Sequence, residues 1–141
     1  MPLHARARRL GRSLRHEVTI DGRHRLVTDE PIQLGGDGSG PAPHELVPAA
    51  LASCIATTLV MYAERKGWDL QGIEVDVTYE HTESPRRFDV EVRLPDDLSD
   101  EQWERLQRVA AACPVHRALE DGFEFEQRLV SVPRVRVADA A

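Results

Sequence analysis

The segment His44–Lys66 constrains this fold more than any other. Val47, Leu51, Cys54, Thr58 and Met61 recur at steps of three and four. So do Leu46, Ala50, Ile55, Leu59 and Tyr62. Two such series put apolar groups on more than half of a helix circumference, so the helix must be central and buried. Gly67 ends it. Pro48 cannot occupy a regular helix interior, so the helix either bends there or begins its regular part there.

A second helix is signalled by Ser99 and Gln102, a capping box with Asp100 and Glu101 in its first turn. It presents Trp103, Leu106, Ala110 and Cys113 on one face and stops at Pro114. Strict alternation marks the strands. Leu14 to Ile20 and Arg23 to Thr28 flank Asp21-Gly22, a tight hairpin turn. Ile73 to Tyr79 and Phe88 to Leu94 form a second hairpin around Ser84-Pro85, with one dry and one wet face. Phe123, Phe125 and Leu129 suggest a last strand. The order β-β-α-β-β-α-β predicts an α+β fold: two long central helices packed on antiparallel sheet. At 141 residues there is room for one domain, set at 14–130, between a frayed basic leader at 1–13 and an unassigned tail at 131–141.

Charge and composition exclude several functions. Residues 1–25 carry seven arginines against Glu17 and Asp21, while the rest of the chain is strongly acidic and the net charge is −6. An acidic body does not suit phosphate backbones, and 5% aromatic content gives little for base stacking, so no nucleic-acid partner is expected. The Gly/Pro segment 35–43 lacks the Lys-Ser/Thr ending of a phosphate loop and reads as a flexible connector. No apolar run approaches the roughly 20 residues of a membrane span, so no membrane partner is expected. Two cysteines are too few for a disulfide scaffold or a four-thiolate zinc site. The six histidines show no metal-ligand spacing, so neither metal nor cofactor is implied.

Both cysteines lie on the apolar faces of the two helices, which must pack together. A buried cysteine is ordinarily a small hydrophobe. Two thiols face to face in a cytoplasmic protein point instead to redox chemistry. Cys113 precedes Pro114, a residue favoured at the first helical position, so Cys113 would cap a short helix whose N-terminus favours a thiolate there. On this reading Cys54 would need an external cation. A zinc site of Cys54, Cys113 and His116 lacks a fourth ligand. A Cys-His hydrolase with His116 as base shows no oxyanion device.

Several segments together resemble the OsmC/Ohr family. They are Gly35-Gly36 with Gly40-Pro41, Pro43-His44-Glu45-Leu46, Ala49 to Cys54, and Cys113-Pro114-Val115-His116-Arg117. Asp29-Glu30-Pro31 and Met61 to Gly67 are similar to one OsmC-like branch. The resemblance implies an intertwined homodimer and a peroxidase that reduces organic hydroperoxides in oxidative stress. Cys54 would attack the peroxide, Cys113 would resolve the sulfenic acid to a disulfide, and a dithiol, on family precedent a lipoylated protein, would reduce it. Glu45 matches the family glutamate, while Arg25, or Arg23 beside it, stands in for an activating arginine absent from residues 31–43. His44, Leu51, Thr58 and His116 would line the substrate pocket. The alternative is a non-catalytic OsmC-like dimer that binds a hydrophobic ligand.

Overall fold

A computed structural model describes residues 1–134; part of the tail, 135–141, lies outside the described residues. The chain forms two compact units. Among the described residues, the first holds residues 1–46 and 127–134; the second holds Val47–Glu126.

In the first unit, strands β1 (Ala5–Arg9), β2 (His16–Ile20) and β3 (His24–Thr28) form an antiparallel meander. Its register pairs Ala5 with Ile20, and Ile20 with His24. The Asp21-Gly22 turn forms as expected, both residues at positive φ (50° and 66°). The basic leader is not frayed: its Ala5–Arg9 segment is β1. Its alternating alanines and arginines let the backbone pair with β2, while Arg8 reaches Glu17 at 3.4 Å.

The Gly/Pro segment is no loose connector. Asp29, 1% exposed, accepts hydrogen bonds from the backbone N–H groups of Glu30, Asp37 and Ser39 and from the Ser39 hydroxyl at 2.8–3.1 Å. A Cβ on Gly36 would lie 1.9 Å from the Glu30 carbonyl oxygen, and one on Gly40 2.4 Å from that of Val27. Only glycine fits at either position. The N–H donations from Ser39, then its hydroxyl and the N–H groups of Glu30 and Asp37, outweigh the burial penalty and lower the Asp29 pKa to about 2.

A single 3-10 turn (Pro43–Glu45) leads into α1 (Leu46–Lys66). Pro48 sits in the first turn of α1, where backbone N–H groups have no intrahelical partner, so the helix tolerates it. In the second unit α1 buries one stripe: Leu51, Ile55, Leu59 and Ala63. Leu70, Leu106 and Cys113 complete that core, with Val75, Val77, Phe88 and Val92 packed against it. The opposite side of α1, at Ala49, Ser53, Thr57 and Met61, is exposed, so the helix is less enclosed than its apolar circumference predicts. Contrary to expectation, the helical segment 43–66 contains an 18-residue stretch (mean hydropathy 1.8) that is by length and composition apolar enough to cross a membrane. Interspersed Ala, Ser and Thr hide this in a search for continuous large apolar residues.

Strands β4 (Glu74–Glu80) and β5 (Arg87–Arg93) make the second hairpin, in the register Val77 opposite Val90. Helix α2 (Asp100–Ala111) starts at the expected capping box: Ser99 Oγ accepts from Gln102 N–H, and Gln102 Oε1 accepts from Ser99 N–H. A further helix, α3 (Pro114–Asp121), follows at once with Cys113 as N-cap. The expected strand around Phe123–Leu129 does not form; Phe125 and Leu129 are exposed, and no strand among the described residues offers them a ladder.

Candidate active site

Cys54 lies beside the buried stripe of α1 and is partly exposed, whereas Cys113 is fully buried. Neither is in a disulfide. The α2–α3 junction makes the encounter. Pro114 ends α2 and starts α3, so the chain turns sharply at Cys113 and the first N–H groups of α3 have no helical partner of their own. The Val115 N–H donates to Cys54, and those of His116 and Val115 to Cys113. On α1, one turn beyond Cys54, the Thr58 hydroxyl lies 3.9 Å from Cys54 Sγ.

The two thiols are therefore unequal. Burial pushes the Cys54 thiol up, but donation from the Cys113 thiol, the Val115 N–H and the Thr58 hydroxyl outweighs it, and the net shift is downward. Burial also pushes Cys113 up, and its donation to Cys54 holds its proton more firmly; the N–H groups of His116 and Val115 only partly oppose this. Cys54 ionises first, with Cys113 as its protonated donor. This reverses the order that the N-cap position of Cys113 suggests. The helix terminus does favour a thiolate, but its Val115 N–H is shared with Cys54, to which the Cys113 thiol also donates.

Two apolar cavities open in the second unit. One of about 370 Å³ lies among Ile55, Leu59, Val92, Trp103 and Leu106. The other, about 500 Å³, lies among Leu51, Tyr79, Phe88 and Leu119, with Arg86 and Arg87 at its edge. Val90 and His116 line both. His116 Nε2 is 3.1 Å from Glu120 Oε1. Of the expected pocket residues, Leu51 and His116 line a cavity, Thr58 sits against the Cys54 sulfur, and His44 belongs to the first unit.

Glu45 and Arg25 also belong to the first unit. Glu45 folds back so that its Oε1 accepts from Ala42 N–H at 3.3 Å, a capping role in the turn before α1. Arg25 is exposed on β3 opposite Thr19. Arg15, not singled out from sequence, holds a buried Nε with no hydrogen-bond partner, and a donor in that state calls for an explanation. Among the described residues no three His, Cys, Asp or Glu side chains converge as a metal ion would require.

The model of a family described as OsmC-like protein matches residues 36–128. No curated protein matches the chain. Solved structures do. A protein described as an osmotic stress induced and detoxification response protein, from Psychrobacter arcticus, is 25% identical with TM-score 0.69, over 80% of this chain and 85% of that one. An organic hydroperoxide resistance protein OsmC from Legionella pneumophila is 25% identical with TM-score 0.57, over 84% and 89%. The organic hydroperoxide resistance protein OhrB of Bacillus subtilis is 26% identical with TM-score 0.51, over 83% and 89%.

Proposed function

This chain belongs to the OsmC-like protein family, and from that premise we propose that it is a thiol peroxidase for organic hydroperoxides. One observation carries the reading: two free thiols, partly exposed Cys54 and buried Cys113, act on each other in one site, with donors pushing the Cys54 thiol down and burial pushing that of Cys113 up. The Cys54 thiolate attacks the terminal peroxide oxygen. The O–O bond breaks, the alkoxide leaves and takes a proton to become the alcohol, and Cys54 becomes a sulfenic acid. Cys113 then attacks the Cys54 sulfur, water leaves, and the Cys54–Cys113 disulfide forms. A dithiol supplies two electrons and two protons to restore both thiols; a lipoylated protein is the family precedent. The apolar cavities lined by His116 support an organic rather than a purely polar peroxide.

Arg25, or Arg23 beside it, and Glu45 enter as the activating pair on the resemblance alone. The working form is proposed to be a cytoplasmic homodimer; exposed Met61 and Phe125 support a missing partner surface.

The experiment adds one equivalent of cumene hydroperoxide to the reduced chain. Both thiols should disappear, cumyl alcohol should appear, and peptide mass mapping should find Cys54 joined to Cys113. Unchanged thiols would reject the peroxidase. They would favour a hydrophobic-ligand binder instead, a reading supported by the two apolar cavities, neither of which is lined by a cysteine.

A further inference from the structure

The Cys54 sulfur is surrounded by donors. Val115 N–H reaches it from α3, the Cys113 thiol from the α2–α3 junction, and Thr58 Oγ1 lies 3.9 Å away on α1 itself. An N–H cannot accept a proton, so at least one sulfur lone pair is committed to α3. The Thr58 oxygen lies within reach of the Cys54 proton, and in that contact either atom can donate. Once that proton leaves for solvent, the Thr58 hydroxyl can turn and donate. A helical threonine ordinarily directs its hydroxyl at the carbonyl one turn back. Here it stands beside a nucleophile, at the i+4 spacing that stacks Thr58 against Cys54 on one helix face. On α3, His116 Nε2 lies 3.1 Å from Glu120 Oε1.

We propose that Thr58 is a catalytic residue whose hydroxyl donates to the Cys54 thiolate and, with the Val115 N–H, completes a cradle of neutral donors that keeps this sulfur ionised. The assignment concerns the thiolate and not its substrate, so it stands apart from the peroxidase reading.

The test alkylates the reduced full-length chain with iodoacetamide across pH and reads Cys54 and Cys113 separately by peptide mass. The sulfur–carbon bond forms as iodide leaves, and no peroxide is present. Thr58→Val should slow Cys54 alkylation at neutral pH by about three- to tenfold, the reach of one net hydrogen bond. Its inflection should move to higher pH while the alkaline plateau stays in place. Thr58→Ser, which keeps the hydroxyl, should stay within about twofold of the parent. Thr58→Ala against Thr58→Ser gives the same comparison if the valine variant does not fold. A Thr58→Val profile that overlays the parent, or a serine variant as slow as valine, overturns the proposal. A chain whose thiolate depends on Thr58 but which ignores hydroperoxide would sink the peroxidase reading alone.

Discussion

At the scale of single residues, the two sulfurs differ because of what each faces. Cys54 collects donors, which push its thiol down; Cys113 is sealed in the core, and burial together with its donation to Cys54 pushes its own up. Cys54→Ser should therefore abolish peroxide turnover, measured by loss of hydroperoxide. Cys113→Ser should react once and stop, leaving a sulfenic acid that dimedone labels; dimedone on Cys113 in Cys54→Ser would assign the roles the other way. The pairing of two thiols was legible in the sequence from the apolar faces expected to carry them, although Cys113 proves to be the N-cap of α3 rather than a residue of α2. Which one ionises was not. The largest donation to Cys54 comes from the Cys113 thiol, and the Val115 N–H reaches both sulfurs; these contacts depend on how α3 meets α1. Thr58 was visible as a neighbour by its i+4 spacing, yet a threonine on an apolar face gives no sign of which acceptor its hydroxyl takes. Arg15 carried no motif at all; only the burial of its Nε singles it out.

At the scale of elements, caps and clamps fix what the helices can do. Ser99 joins the chain to α2, which carries Leu106 into the core. Ser99→Ala should cost about 1 kcal/mol, read as an earlier urea midpoint. The Asp29 clamp holds the loop that precedes α1. Its carboxyl titrates well below the unfolded value, so its contribution is complete above 3.8 and is lost as pH falls towards about 2. Asp29→Asn should remove that acid dependence and speed amide exchange at Asp37 and Ser39, because an amide has one acceptor oxygen where the carboxylate has two. The hairpins and the capping box could be read from alternation and spacing. The clamp could not, since Asp29 bonds to N–H groups eight and ten residues away across a segment that composition alone marks as slack.

At the scale of the whole molecule, the core of the second unit rests on a single stripe of α1. Leu59→Ala should cost roughly 2–5 kcal/mol through the cavity it leaves, measured by chemical denaturation. The other side of α1 stays in contact with solvent although its residues are mostly small or apolar. A homodimer in solution, read as a mass twice 15.8 kDa by light scattering, is the outcome expected for such a chain. A monomer at micromolar concentration would remove that part of the proposal. The α+β class and both helices followed from periodicity, whereas the missing last strand did not: alternation at Phe123–Leu129 names a face, but a strand also needs a neighbour.

The α3 terminus has one more consequence. Because the Val115 amide reaches both cysteine sulfurs, its proton senses the charge on them. Reduced and oxidised chains should give separate Val115 cross-peaks in an amide spectrum, so the redox history of a sample is written in the resonance of a residue that undergoes no chemistry itself.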